Sequence, residues 1–148
     1  MRPKKVILCV DDNEQDLSVL KFILVTNGYR VLEATNGQDA IALFTDANEV
    51  NLVLTDHAMP KMSGDELILK LKAIASHVPM VILGDPAKMN GHVHGADALL
   101  TKKTISAQEL LERVKIMSAR KRGPRLGIRK PVQSERPEAA NVLAGVVA

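Results

Sequence analysis

Three aspartates and one lysine are the residues of this sequence whose types and placement best suit chemistry. Asp11 and Asp12 follow the first short apolar run of the chain, Asp56 ends the third, and Lys102 follows the fifth. Carboxylates held close together repel one another unless a cation lies between them. An all-oxygen cluster favours a hard divalent ion, and Mg²⁺ commonly takes one or two protein carboxylates together with a phosphate oxygen.

A lysine beside such a cluster adds a compact positive charge that pairs with a carboxylate or a phosphoryl oxygen. A metal and an ammonium together offset the charge on a transferring phosphoryl group, and a carboxylate can accept that group covalently. Asp56 is the best candidate for the acceptor, because its predicted strand lies between the acid pair and the lysine. The residue types therefore indicate phosphoryl transfer onto Asp56, with Mg²⁺ and Lys102 in support.

Five apolar runs, each about the length of one strand, must bring these side chains together. They cover residues 6–10, 30–34, 52–55, 80–83 and 98–101. Helical patterns lie between the runs, and two of them open with the Ser-x-x-Glu spacing of a capping box, at Ser63 and Ser106. This alternation predicts an α/β fold, a flavodoxin-like doubly wound five-stranded parallel sheet with helices on both faces. Ligands of such sheets bind at the carboxyl ends of the strands.

The charge distribution divides the chain into a domain and a tail. The 148 residues carry a formal net charge of +3, but residues 1–118 carry −2 and residues 119–148 carry +5. We therefore predict one domain over residues 4–118 and a basic, flexible tail over residues 119–148. The lone Cys9 suits a reducing compartment, and we find neither a secretory signal nor an apolar run approaching ~20 residues. We expect a soluble, cytoplasmic protein with no membrane contact.

Three segments of the sequence resemble the signatures of response-regulator receiver domains of two-component signalling. They are VILCVDDN, LVLTDHAMPKMSG and GADALLTKK, and the resemblance covers residues 4–118. It implies that Asp56 is the phosphoacceptor and that Asp11 and Asp12 hold Mg²⁺. It further implies that the backbone carbonyl of Ala58 is a metal ligand and that Lys102 contacts the phosphoryl group.

The same resemblance implies the partners. The phosphodonor would be a phosphohistidine on a histidine kinase or a phosphotransfer protein, and the output would pass by protein contact to an unknown downstream protein. Such a domain is not an enzyme in the turnover sense, although the fold catalyses its own phosphorylation and dephosphorylation.

The chain departs from the family pattern in the region that usually carries the output signal. Gly84 stands where the family usually has a Ser or Thr that binds the phosphoryl oxygen, and Leu99 stands where it commonly has a Tyr or Phe. Lys103 replaces the proline that usually follows the lysine. Between residues 84 and 95 the chain is shorter by about one helical turn, ~3.6 residues. Because Pro86 further disfavours a helix, we expect the fourth helix of the family pattern, which lies between the fourth and fifth strands, to be short or irregular.

Other interpretations stay open beside the phosphoacceptor. The first is a pseudo-receiver that keeps the acids but acts as a fixed protein-binding module. A second has the basic tail contacting nucleic acid through phosphates, but no aromatic residues interleave for base stacking, so we do not expect nucleic acid as a partner. A metal held by His92 and His94 is a weak signal without a nearby cysteine. An aspartyl phosphatase needs a second aspartate two residues after the nucleophile, where this chain has Ala58.

Overall fold

The computed structural model describes residues 4–47, 49–89 and 95–119, in which strands and helices alternate. The strands are β1 (Val6–Val10), β2 (Arg30–Ala34), β3 (Leu52–Asp56), β4 (Met80–Gly84) and β5 (Ala98–Thr101). The helices are α1 (Glu14–Thr26), α2 (Gly37–Asp46), α3 (Gly64–Ile74) and α4 (Ala107–Ser118). All paired strands are parallel, in the order β2-β1-β3-β4-β5. The predicted flavodoxin-like fold is confirmed.

The strand order fixes where a ligand site can form. The chain runs from β1 outward to β2, then returns past β1 to β3, so the winding direction reverses between β1 and β3. The carboxyl ends of these two neighbouring strands therefore open onto one crevice. Asp11 and Asp12 follow β1 and Asp56 ends β3, which places all three acids at that crevice.

The core consists of two apolar clusters, one on each face of the sheet. Successive strand residues point to opposite faces, so Leu8 and Val10 belong to the cluster under α2 and α3, whereas Ile7 and Cys9 belong to the cluster under α1 and α4. Cys9 is fully buried, as its place in the first apolar run predicts. Aliphatic residues and methionine make up most of both clusters, in keeping with the aromatic content of 2%.

Side-chain caps begin each of the four helices in the described residues. Asn13 and Asn36 accept a hydrogen bond from the backbone N–H three residues ahead, before α1 and α2 respectively. Ser63 and Ser106 form full capping boxes with the glutamates three residues on, which confirms the predicted starts of α3 and α4. Each cap stabilises its helix by about 1 kcal/mol. Because a cap also fixes the first residue of the helix, it fixes the length of the loop before it.

Of the connection between β4 and β5, the structure describes residues 85–89 and 95–97. After Gly84, residues 85–89 form a single hydrogen-bonded turn, in which the Lys88 N–H donates to the Asp85 carbonyl at 2.9 Å and the Met89 N–H donates to the Pro86 carbonyl at 3.2 Å. These described residues contain no regular helix. This agrees with the expectation that the helix usually found between the fourth and fifth strands of the family is short or irregular here.

Several expectations fall on residues outside the described ranges. They include the His92 and His94 pair and residues 120–148 of the predicted tail. None of the four helices in the described residues combines the length and the apolar character that a membrane span requires.

Candidate functional site

The three predicted aspartates meet at the carboxyl ends of β1 and β3. One carboxylate oxygen from each of Asp11, Asp12 and Asp56 lies within 4.8 Å of the other two. Asp11 is buried, the Asp56 side chain is 12% exposed and Asp12 is exposed, so the cluster runs from the interior to the surface. One cation can contact all three side chains at once, and an all-carboxylate set of this kind suits Mg²⁺.

Lys102 enters the cluster from the end of β5 and bridges the two strands that carry the acids. Its Nζ lies 2.7 Å from Asp11 Oδ2 and 3.4 Å from Asp56 Oδ1. A third carboxylate, that of Asp16 in the first turn of α1, lies 3.1 Å from the same Nζ. The Lys102 side chain is 27% exposed, so these are short ion pairs at a partly screened site.

The pKa shifts at the site show how unevenly its charges are balanced. Burial raises the pKa of the Asp56 carboxyl, and the charge of Asp11 raises it further, so that together they outweigh the lowering effect of Lys102. Burial alone would lower the pKa of Lys102, but its hydrogen bonds with Asp11 and Asp16 raise it well above its usual value. The Lys102 ammonium is thus shared among three carboxylates, and a bound divalent cation would reduce the remaining repulsion between those carboxylates.

The loop from β3 to α3 folds tightly behind Asp56. The Gly64 N–H donates to the His57 carbonyl at 2.9 Å, which closes the loop. A Cβ atom at Gly64 would collide with the carbonyl oxygen of Asp56 and would lie 3.0 Å from His57 Cα. Glycine at this position is therefore a steric requirement, because the atoms that it approaches belong to the backbone that positions the acceptor.

His57 pairs with a carboxylate that sequence reasoning did not identify. Its Nε2 lies 3.3 Å from Asp65 Oδ2, in the first turn of α3, and both side chains are about one-fifth exposed. The pair ties the residue after Asp56 to α3. The other carboxylate oxygen of Asp65 is buried without a hydrogen-bond partner among the described residues.

A cavity of ≈ 370 Å³ opens beside Asp56 at the ends of β3, β4 and β5. Three lysines line it, namely Lys88, Lys102 and Lys103. Ala58, whose carbonyl is a predicted metal ligand, also lines it, next to His57. The cavity is large enough for a phosphoryl group on Asp56, and its three lysines outnumber its two carboxylates, those of Asp56 and Asp85.

Met89 occupies the space that a side chain at Gly84 would need. A Cβ atom on Gly84 would lie 2.8 Å from Met89 Sδ and 3.2 Å from His57 Cβ. Met89 is only 4% exposed, in the same core cluster as Leu99. Met89 therefore covers Gly84, and Leu99 belongs to the same core cluster as Met89.

The parallel sheet, its strand order and the acidic crevice define a CheY-like receiver fold. The sequence profile of the response regulator receiver domain matches residues 7–115. This chain therefore belongs to the response regulator receiver domain family. Members of this family are signalling modules of two-component systems. They bind Mg²⁺ at an acidic pocket and interact with histidine kinases or phosphotransfer proteins.

Solved structures of receiver proteins are similar over most of the domain. The response regulator protein TrrA from Thermotoga maritima, in complex with Mg²⁺-BeF, is 30% identical, with a TM-score of 0.70 over 76% of this chain and 98% of that chain. A response regulator receiver domain protein from Clostridium thermocellum is also 30% identical, with a TM-score of 0.68 over 77% of this chain and 94% of its own.

Curated relatives are longer than the segment that they share with this chain. The phosphate regulon transcriptional regulatory protein PhoB of Pseudomonas aeruginosa is 35% identical over 126 residues, which are 81% of this chain and 54% of PhoB. The two-component response regulator ORR5 of Oryza sativa is 34% identical over 79 residues, 52% of this chain and 59% of ORR5. The chain thus spans a little over half the length of these relatives.

The structure brings Asp11, Asp12, Asp56 and Lys102 together, and Ala58 and Gly84 line the cavity beside them, whereas Leu99 lies in the core. Three residues that were not predicted join the site. Asp16, Asp65 and Met89 contact Lys102, His57 and the Gly84 region respectively. Asp16 had a usable signal, since it lies in the helix turn directly after the acid pair. Asp65 and Met89 had none, because only the loop conformations bring them to the site.

Proposed function

We propose that this chain takes a phosphoryl group on Asp56 from a phosphohistidine of a histidine kinase or phosphotransfer protein. The observation that carries the proposal is the cluster of Asp11, Asp12 and Asp56, bridged by Lys102 at the topological switch of a receiver fold. The Asp56 carboxylate oxygen forms a bond to phosphorus as the bond from phosphorus to the imidazole nitrogen breaks. The electron pair of the broken bond stays on the histidine of the donor.

Each residue of the site has a defined part in this step. Asp11, Asp12, Asp56 and the backbone carbonyl of Ala58 would hold Mg²⁺, which offsets negative charge on the phosphoryl oxygens when it is bound. Lys102 is positioned to donate to a phosphoryl oxygen, because its ammonium already lies 3.4 Å from Asp56 Oδ1. Asp11 holds that ammonium in place at 2.7 Å.

The surface beside the site supports a protein donor. Asp16 and Val19 line a second cavity next to the site, with Asp11 and Lys102. One helical turn further along α1, Phe22 is 71% exposed, and Val19 is 59% exposed. Apolar side chains at this level of exposure, on the helix nearest the acids, suit contact with a partner protein whose histidine must reach Asp56.

Phosphorylation in the presence of a small donor tests the proposal. The protein is incubated with acetyl phosphate and Mg²⁺, and its intact mass is measured. We expect a mass increase of one phosphoryl group that requires Mg²⁺ and is absent from Asp56→Asn. The matched control is Asp39→Asn, a carboxylate at the start of α2 that takes no part in the acid cluster. The proposal would be refuted if the wild-type protein formed no adduct, or if Asp56→Asn formed as much adduct as the wild type.

A second candidate is a pseudo-receiver that binds a protein without being phosphorylated in the cell. Gly84 and Leu99 favour it, because the described residues offer neither the hydroxyl nor the aromatic side chain of the family's usual relay at these positions. The absence of an adduct from the wild-type protein with acetyl phosphate and Mg²⁺, together with unchanged chemical shifts and hydrogen exchange, would support this second candidate. An adduct that changes the chemical shifts or hydrogen exchange would count against it.

The remaining features complete the proposal. We assign residues 4–118 to the receiver domain and residues 119–148 to a basic tail. We place the protein in the cytoplasm, with no nucleic acid among its expected partners. If the full chain bound DNA in a salt-sensitive manner and truncation after Ser118 abolished the binding, the tail would instead be a nucleic-acid contact.

A further inference from the structure

Gly84 leaves the β4 side of the acceptor without a donor group. In the register of the sheet, Asp56 pairs with Leu83, so Gly84 is the next residue of the neighbouring strand. The hydroxyl of Thr101, the partner of Gly84 on β5, lies one strand further from Asp56. A phosphoryl group on Asp56 would thus meet Lys102 but no side-chain donor from the end of β4.

The turn after β4 brings another cation to this place. Met89 is buried over Gly84, and its Sδ occupies the space of the missing side chain. This packing folds residues 85–89 back toward the strand end, and the Asp85 side chain fixes the turn by accepting a hydrogen bond from the Ala87 N–H at 3.1 Å. Lys88 immediately precedes the buried methionine and lines the cavity that contains Asp56.

The ammonium of Lys88 is available to a new anion. Lys88 forms no ion pair with any residue that the structure describes, whereas Lys102 is shared among three carboxylates. Its long, flexible stem lets the charge move into the cavity when a negative group arrives. Lys103 lines the same cavity, but the residue after it, Thr104, is exposed, so no buried neighbour anchors it as Met89 anchors Lys88.

We propose that Lys88 contacts the phosphoryl group on Asp56 and supplies the donor that Gly84 lacks. This inference rests on the proposed function and adds a binding residue to that site. The absence of a side chain at position 84 and the presence of a lysine at position 88 are then structurally linked. The first lets Met89 pack against the strand end, and this packing holds the lysine at the cavity.

Binding of beryllofluoride with Mg²⁺ tests the assignment, because this anion mimics a phosphoryl group on an aspartate. Affinities are measured by titration calorimetry for the wild type and for Lys88→Met, which keeps the apolar stem and loses the charge. We expect Lys88→Met to bind beryllofluoride about tenfold more weakly, the size of a charge-assisted hydrogen bond at a partly exposed site. Mg²⁺ affinity without beryllofluoride should change less than about twofold, since Lys88 contacts none of the acids.

Two further variants make the outcome specific. Lys70→Met removes the same charge from an exposed position on α3 that does not line the cavity, and it should bind beryllofluoride as the wild type does. Lys103→Met tests the other unpaired lysine of the cavity.

Wild-type affinity in Lys88→Met would overturn the inference while leaving the proposed function intact, and so would a loss confined to Lys103→Met. Equal losses in Lys70→Met and Lys88→Met would show a net-charge effect and overturn it as well. No binding by the wild-type protein would instead count against the proposed function itself.

Discussion

Replacing Gly84 by alanine measures directly how Met89 packs against the end of β4. The new Cβ would lie 2.8 Å from Met89 Sδ and 3.2 Å from His57 Cβ. Overpacking of a filled core costs about 1–3 kcal/mol, and we take about 1.5 kcal/mol here because a methionine sulfur lies on a flexible side chain. The backbone at Gly84 is compatible with alanine, and the loss of unfolded-state entropy returns about 0.4–1 kcal/mol. We expect a net loss of about 0.5–1 kcal/mol.

The sign should reverse once Met89 is shortened. Met89→Ala alone should cost about 2 kcal/mol, the low end for a buried methionine, because the turn over residues 85–89 can relax. Adding Gly84→Ala to Met89→Ala removes the overlap with sulfur and leaves the entropic gain, so the second substitution should be neutral or slightly stabilising. The two substitutions should therefore couple by about 1–1.5 kcal/mol, in the sense that the double variant is more stable than additivity predicts.

Urea denaturation followed by far-ultraviolet circular dichroism gives the four free energies of unfolding for this cycle. The control cycle combines Gly84→Ala with Met117→Ala, a methionine equally buried in the cluster on the opposite face of the sheet. That pair should be additive within about 0.5 kcal/mol. Additivity of Gly84→Ala with Met89→Ala would contradict the packing described for this region.

Three further perturbations have defined outcomes. Gly64→Ala should lower the free energy of unfolding by about 3 kcal/mol, because its Cβ meets the rigid backbone of Asp56; a loss under about 1 kcal/mol in urea denaturation would contradict this. Lys102→Met should bind Mg²⁺ several-fold more tightly by calorimetry, since its ammonium competes for the same carboxylates, yet accumulate less adduct from acetyl phosphate. Unchanged Mg²⁺ affinity would refute that competition. Cys9 should react with a thiol reagent only in denaturant, because burial raises its thiol pKa; rapid reaction of the native protein would refute this.

The fold follows from the sequence because its signals are local and repeated. Parallel strands inside a covered sheet are apolar on both faces, and even the edge strand β2 keeps apolar residues at its centre. The five runs therefore marked the strands to within one residue, the only differences being that β3 and β4 each extend by one. The capping boxes at Ser63 and Ser106 located two helix starts to the residue. Parallel topology then gathers residues from distant runs at one edge, which is why the acids and Lys102 could be placed together.

Asp16 could have been predicted, because α1 starts immediately beside the acid pair and its first turn brings Asp16 to Lys102. The other contacts that sequence reasoning missed depend on loop conformations that leave no periodic pattern. Met89 fills the space at Gly84 because a short turn folds back on the strand, and nothing in the sequence distinguishes this methionine from the others. The region after β4 carries Pro86 and no helical spacing, so its path had to come from the structure.

The identity of the phosphorylated residue tests the central claim most directly. After reaction with acetyl phosphate and Mg²⁺, borohydride reduces an aspartyl phosphate to homoserine, and tandem mass spectrometry of the peptides locates that homoserine. We predict homoserine at position 56 alone, and only when Mg²⁺ is present. Homoserine at position 11, 12 or 16, or no homoserine at all, would contradict Asp56 as the acceptor.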